Sequence, residues 1–199
     1  MYAGIFVKKV SWDGSYFTYG APALFMREMK TAYGPSTITP ATEAQIVYAD
    51  DQGYAAWGLS DCFGVGDGGY VQQGSYPVAM PDPPETEPGL VTAHASGLAL
   101  ITPYSPQAIA NLENLSSSFS CAYDADYGFR DSVMADKESA DYGLCSDRFS
   151  ALAQEWLFLA LVNYRTGFIW ENFYRDEGVR QAHLEMYGYY ESYLSYLQP

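Results

Sequence analysis

The chain has 199 residues, which is enough for one domain with a substantial hydrophobic core. Its formal net charge of −14 argues against a nucleic-acid partner, because a phosphate backbone attracts Lys and Arg. No apolar run reaches the length of a membrane span, and residues 1–11 are too short and too polar for a signal peptide.

Aromatic residues make up 17% of the chain, and 19 of them are tyrosines. A core alone has little use for so many phenol hydroxyls, whereas carbohydrate sites stack aromatic rings on sugars and hydrogen-bond them. Large half-buried helix interfaces explain the same excess equally well. Three cysteines, Cys62, Cys121 and Cys145, leave one unpaired in any case, and without a Cys/His cluster we expect neither zinc nor another cofactor.

In chain order, helix-forming segments alternate with irregular ones. The predicted helices cover residues 21–31, 42–52, 90–102, 107–115, 151–162 and 177–197. Pro22 limits how early the first can begin, and Gly53 is the predicted stop of the second. Residues 54–89 and 116–148 lack helical periodicity, so we expect two long irregular segments there.

The segment 151–162 is apolar on almost every side and is interrupted only by Gln154 and Glu155. A helix of this kind is usually wrapped by other elements, so we predict a buried central helix. Its two polar residues must then find partners or line a wet cavity, because an unpaired buried polar group costs about 1–3 kcal/mol.

The order of apolar helix, short turn, amphipathic helix and long loop occurs three times. Short turns favour antiparallel neighbours, so the pattern predicts three helical hairpins. If each apolar helix is an inner one, the hairpins form half of a two-layered α/α toroid in an all-α fold. The long loops then gather on one face and build a pocket there. A plain helical bundle with long loops is the alternative.

Several segments, in this order, match one family of carbohydrate-active proteins. They are WDGSYF at 12–17, EAQIVYA at 43–49, WGLSD at 57–61, GGY at 68–70, GSYP at 74–77, VTAHASGLAL at 91–100, AIANL at 108–112, YGFRDSV at 127–133 and the stretch 154–173. The chain thereby resembles the glycoamylase-like family, which includes bacterial endo-β-1,2-glucanases and the C-terminal region of cyclic β-1,2-glucan synthases. The resemblance implies an (α/α)6 toroid about twice this length, with residues 1–199 corresponding to its C-terminal half.

Two positions depart from the family pattern. Thr18 stands where the family usually has Glu, and Ala153 stands where it usually has Asp. Two functions therefore remain open. The chain is either a glycoside hydrolase-type domain that acts on a β-glucan or related oligosaccharide, or a catalytically inactive carbohydrate-binding or structural remnant of the same fold.

Glycoside hydrolysis requires two carboxyl groups that flank one bond. Asp61 follows Trp57, and Asp131 follows Tyr127, so each of these loop carboxylates comes close after an aromatic residue. We predict catalytic roles for both. The alternatives are turn capping by Asp61 and an ion pair of Asp131 with Arg130.

Glu155 is the third predicted catalytic residue, because burial in an apolar helix would raise its pKa. Its alternative is a structural ion pair with Arg165. Gln154 and His94 come near the starts of inner helices, where the resemblance implies that side chains face the pocket. A hydrogen-bonded core residue is the alternative for His94. Substrate-binding roles are also predicted for three loop aromatics, Trp57, Tyr70 and Tyr127.

The same reasoning predicts the ligand, the cellular location and the association partners of the chain. We expect an oligosaccharide or polysaccharide ligand and a secreted, periplasmic or cell-envelope location. Half a toroid would leave helix flanks uncovered, so we also expect self-association or a missing N-terminal half, with edges at residues 2–10 and 187–196.

Overall fold

The computed structural model describes residues 2–81 and 87–187, and helices dominate this part of the chain. The α-helices are α1 (Phe17–Gly20), α2 (Thr39–Asp51), α3 (Ala93–Ala99), α4 (Ser105–Ser118), α5 (Ala151–Thr166), α6 (Phe168–Phe173) and α7 (Glu177–Tyr187). The predicted all-α class is therefore confirmed at the level of a helix-rich fold. No helix within the described ranges is long and apolar enough to cross a membrane.

Strands are minor and serve to pin the long loops together. Within the residues that the structure describes, they form three antiparallel pairs of two-residue strands. β1 (Cys62–Phe63) pairs with β2 (Tyr70–Val71), β3 (Leu90–Val91) with β6 (Val133–Met134), and β4 (Tyr123–Asp124) with β5 (Gly128–Phe129). A disulfide between Cys121 and Cys145 ties the start of the second long loop to its end, while Cys62 is a buried free thiol.

Helix α3 lies at the centre of the core. All seven of its residues are buried, and it packs against α1, α4 and α5. Close approach to α5 requires Gly97, since a Cβ there would lie 2.5 Å from Leu157 Cδ1 and 3.0 Å from Leu157 Cα. The Thr92 side chain caps the helix by accepting the Ala95 N–H at 3.4 Å.

The predicted helix at 21–31 is wrong. The chain makes the short helix α1 before this segment and then two 3₁₀ turns, Pro22–Leu24 and Glu28–Lys30. Pro22 has no N–H for an α-helical bond, and Arg27, with ψ of 49°, leaves the helical region. Helix α2 agrees better with its prediction. It continues a π-helical turn, Gly34–Ile38, and ends just before Gly53, whose φ of +73° suits glycine.

The prediction that 151–162 is wrapped on all sides is also wrong. Helix α5 forms as expected, but only Ala160 and Asn163 are buried. The side away from α3 exposes Leu152 (51%), Phe158 (64%), Leu161 (45%) and Tyr164 (43%). The apolar pattern identified a surface that favours burial, but no described element covers it.

Helix α7 fits the first half of the predicted helix at 177–197, and the remainder lies outside the described residues. His183 is buried and hydrogen-bonds through Nδ1 to the Tyr174 hydroxyl. The Tyr187 hydroxyl donates to Glu28 Oε1. The first bond attaches α7 to the end of α6, and the second attaches it to the 3₁₀ turn that contains Glu28.

Candidate functional site

The residues after Trp57 connect the starts of α1 and α3. The Tyr16 N–H donates to the Leu59 carbonyl at 3.1 Å, and the Phe17 N–H donates to Ser60 Oγ at 3.2 Å. On the other side, the Thr92 N–H donates to the Gly58 carbonyl at 2.9 Å. Both helices therefore begin at the segment that leads directly into Asp61.

Asp131 connects this segment to the start of α5. Its Oδ2 accepts the Phe63 N–H at 2.7 Å, and its backbone N–H donates at 3.0 Å to the carbonyl of Arg148, two residues before Ser150, the N-cap residue of α5. Since Phe63 is two residues beyond Asp61, the contacts bring Asp61 and Asp131 to the same end of the molecule.

Asp61 is half-buried and held from two sides. Its Oδ1 accepts the Gln73 N–H at 2.9 Å, and its own N–H donates to Ser15 Oγ at 3.0 Å. Burial, the largest cause, and the neighbouring Asp13 carboxyl together raise the pKa of Asp61 to about 6, while the Gln73 N–H acts in the opposite direction. A carboxyl with this pKa is partly protonated near neutral pH and can donate a proton.

Asp13 is the residue that sequence reasoning missed. It is buried, its Oδ1 accepts the Ser15 N–H at 2.9 Å, and its negative charge raises the pKa of Asp61. The available signal was its place in the WDGSYF motif, which packs directly on the GSYP motif. A Cβ on Gly74 would lie 2.1 Å from the Asp13 carbonyl oxygen, so the two motifs form one tight structure. Trp12, next to Asp13, is an exposed aromatic that was also missed.

Asp131 is more deeply buried than Asp61. Burial raises its pKa, and the Phe63 N–H acts in the opposite direction. Arg130 is not its partner, because the Arg130 guanidinium lies 4.0 Å from Asp147 and donates to the Ser146 carbonyl at 3.1 Å.

Two of the three predicted aromatic contacts are exposed at this end. Tyr70 packs edge-on against Phe63 with ring centroids 5.2 Å apart, and Tyr127 packs against Phe149 at 5.4 Å. Trp57 differs, because it is 8% exposed and lies in the core. Its backbone N–H donates to Asn111 Oδ1 in α4 at 3.2 Å, and with Asn111 and residues of α2 it lines a cavity of about 290 Å³.

His94 and Gln154 are both near helix starts, in different surroundings. His94 is buried beside Trp156, with ring centroids 5.4 Å apart, and burial lowers the pKa of its imidazole to about 3. Gln154 Nε2 donates to the carbonyl oxygens of Tyr127, at 3.2 Å, and Phe129. Gln154 thus holds the turn between β4 and β5 that presents Tyr127.

Glu155 lies on the exposed side of α5, so the burial that was expected to raise its pKa is absent. None of the ion pairs in residues 2–81 and 87–187 joins it to Arg165. The expectation failed for the same reason as the wrapped helix: the side of α5 that carries Glu155 is not covered.

A cavity of about 520 Å³ lies at the opposite ends of α3 and α5. Arg27, Leu100, Thr102 and Trp170 line it, and no carboxylate does. Within the described ranges, no group of three or more His, Cys, Asp or Glu residues could hold a metal ion.

The family model described as "Putative glucoamylase" matches residues 6–177. The chain belongs to this glycoamylase family. No curated protein matches it.

Solved structures share the fold at low sequence identity. A putative glucoamylase from Bacteroides uniformis is 18% identical with a TM-score of 0.69, over 94% of this chain and 47% of its own. The endo-β-1,2-glucanase of Chitinophaga pinensis, in complex with sophorotriose and glucose, is 17% identical with a TM-score of 0.64. The match covers 90% of this chain and 42% of the glucanase. The β-1,2-glucanase of Parabacteroides distasonis is 19% identical with a TM-score of 0.67. The match covers 87% of this chain and 24% of that glucanase. This glycoamylase chain therefore spans less than half the length of these relatives.

Proposed function

We propose that this glycoamylase chain is a glycoside hydrolase-type domain that binds a β-glucan where α1, α3 and α5 begin. Asp61 supplies the proton for glycosidic cleavage. The observation that carries the proposal is Asp61 itself, a half-buried carboxyl with a pKa of about 6, at the same end as Asp131 and the exposed rings of Tyr70 and Tyr127. The β-1,2-glucanase relatives support a β-1,2-linked glucan as the first substrate to test.

The chemistry assigns a separate task to each group. Protonated Asp61 donates to the oxygen of the leaving sugar, and Asp131 serves as the second carboxylate. Tyr70 and Tyr127 offer aromatic faces on which sugar rings stack. Gln154 acts indirectly by fixing the turn that carries Tyr127. In this proposal the three helical hairpins form half of an α/α toroid, and the loops at the starts of the inner helices form the pocket.

A binding function without catalysis is the second candidate. Thr18 and Ala153 occupy two positions where the family usually has acids, and they lie in α1 and α5. If those acids are essential, the chain binds glucan and does not cleave it. The disulfide between Cys121 and Cys145 supports a secreted, periplasmic or cell-envelope location for either function, because such bonds persist in oxidising compartments.

The exposed apolar side of α5 supports a further part of the proposal. Phe158 and Leu161 are large apolar side chains on a surface that favours burial. We propose that a second copy of the chain, or the remaining part of a complete toroid, covers this face.

Incubation with β-1,2-glucan and with other glucans, while reducing ends are followed, tests the proposal. Hydrolysis that falls about 10²–10⁴-fold in Asp61→Asn supports the hydrolase. Asp67→Asn, an exposed carboxylate in the same loop, is the matched control and should retain activity. Binding without hydrolysis favours the second candidate. A chain that neither binds nor hydrolyses any glucan would contradict both candidate functions.

A further inference from the structure

The cavity of about 520 Å³ at the ends of α3 and α5 opposite Asp61 has no part in the function proposed above. Its volume lies within the range of about 300–1,000 Å³ that small-molecule sites occupy. Apolar side chains such as Leu100, Ile101 and Trp170 form much of its wall, together with a few polar residues. This mixture is typical of a site for a small molecule.

The charge of this cavity is opposite to that of the chain as a whole. Acidic residues outnumber basic ones by 24 to 10, yet Arg27 and Lys30 line the cavity and no Asp or Glu does. Glu28 lies between them in the sequence, but it is buried outside the cavity and accepts a hydrogen bond from the Tyr187 hydroxyl. Positive charge gathered in a concave surface attracts an anion and raises its local concentration.

We propose that this cavity is a binding site for a small organic anion, in which a carboxylate or phosphate group is attached to a flat ring. The negative group binds Arg27 and Lys30, and the ring packs against Trp170. The site is separate from the proposed glucan site, because it lies at the other ends of α3 and α5.

Arg27 is held in a position that suits anion binding. Its backbone N–H donates to the Tyr174 hydroxyl at 2.9 Å, and its guanidinium lies 5.3 Å from the centre of the Tyr174 ring. The face of an aromatic ring stabilises a cation without neutralising its charge. A planar guanidinium binds a carboxylate or phosphate through two parallel hydrogen bonds, so Arg27 suits either negative group.

The indole wall of the cavity is also fixed. Trp170 Nε1 donates to the Ala23 carbonyl at 2.8 Å, and the Trp170 backbone N–H donates to Asn163 Oδ1 at 3.3 Å. Asn163 is buried, and its Nδ2 donates to the Leu24 carbonyl at 2.7 Å. The indole is therefore ordered before a ligand arrives, which lowers the entropic cost of binding.

The buried neutral polar side chains of the cavity, Thr102 and Asn163, make their hydrogen bonds within the protein. The Thr102 hydroxyl donates to the Ala99 carbonyl at 2.7 Å and accepts the Tyr104 N–H at 3.1 Å. A neutral sugar is recognised mainly by hydrogen bonds to its hydroxyls, and these two side chains are already engaged. The basic residues therefore decide the class of ligand, and that class is an anion.

Titration of the full chain at pH 7 and low salt with phenyl phosphate and with benzoate tests the proposal. Benzyl alcohol is the neutral probe with the same ring. Amide shifts of the ¹⁵N-labelled chain locate the binding, and isothermal titration calorimetry measures the dissociation constants. We expect shifts in residues 100–105 and at the Trp170 indole N–H, and at least one anion should bind about tenfold more tightly than benzyl alcohol. The tighter of the two anions identifies phosphate or carboxylate as the preferred group.

Substitutions at the basic residues test the recognition directly. Lys30→Gln, at an exposed position where folding should be unaffected, should weaken anion binding about tenfold, and Lys30→Arg should largely retain it. Arg27→Gln should weaken it at least as much. Lys137→Gln removes an exposed lysine from the second long loop, outside the cavity, and is the matched control that should leave the affinity unchanged.

Equal affinities for benzyl alcohol and the two anions would overturn the proposal, as would anion binding that is unchanged in Lys30→Gln. Shifts that avoid residues 100–105, or no binding of either anion at millimolar concentrations, would overturn it as well. None of these measurements uses a glucan, so the outcome does not depend on whether the glucan site exists.

Discussion

Helices α3 and α5 pack against each other and have similarly apolar sequences, yet their surroundings differ. Every residue of α3 is buried, whereas α5 buries only Ala160 and Asn163. Helix α3 is enclosed by α1, α4 and α5, and α5 has neighbours mainly on the side of α3. An apolar pattern therefore predicts which surface favours burial, and the tertiary neighbours decide whether it is buried.

The largest expected effect comes from truncating one side chain in each helix. Leu98→Ala in α3 removes a fully buried side chain and should lower the free energy of unfolding by about 2–5 kcal/mol. Phe158→Ala in α5 should change it by less than about 0.5 kcal/mol, because that ring is 64% exposed. Urea unfolding followed by circular dichroism, at low protein concentration, measures both. Equal losses would contradict the contrast between the helices.

A smaller effect concerns pH and the buried histidine of α3. The pKa of His94 is about 3 in the folded chain and about 6.5 in the unfolded chain, so between these values the unfolded state binds more protons. The contribution of His94 to stability is therefore complete above pH 6.5 and falls by about 1.4 kcal/mol per pH unit below about pH 6.

Urea unfolding between pH 7 and pH 4 measures this dependence, and replacing the imidazole in His94→Gln should reduce it. Phe158→Gln, at an exposed position of α5, changes no titratable group and is the control. The buried state of His94 would be refuted if the wild type and His94→Gln lost stability in parallel as the pH falls.

The smallest effect on stability, with a visible effect on assembly, concerns the exposed side of α5. If another copy covers it, sedimentation velocity should detect self-association that weakens in the double variant Phe158→Gln, Leu161→Gln. Met186→Gln on α7 alters an equally exposed apolar side chain and is the control. A wild-type chain that stays monomeric over the whole concentration range would rule out this occupant.

The sequence predicted those parts of the fold that depend on local signals. Helix α2 ends just before Gly53, the predicted stop, whose φ of +73° suits a glycine. The failures depend on neighbours that are distant in the sequence. Residues 21–31 form 3₁₀ turns, and Glu155 is exposed because no described element packs on its side of α5.

The candidate site divides in the same way. Asp61 and Asp131 were identified because aromatic residues precede them, and their roles remain proposals. Asp13 was missed because its importance comes from contact with Asp61, 48 positions later in the sequence. Trp57 was predicted to stack on sugar, but Asn111, far away in the sequence, holds its backbone inside the core.

The central claim is that the end carrying Asp61 binds glucan, and amide chemical-shift mapping tests it most directly. A ¹⁵N-labelled chain would be titrated with a short β-1,2-linked glucose oligomer at pH 6. We predict amide shifts concentrated at Asp61, Tyr70, Tyr127 and Asp131, and none in residues 100–105 at the opposite cavity. Shifts confined to that cavity, or no shifts at saturating oligomer, would contradict it.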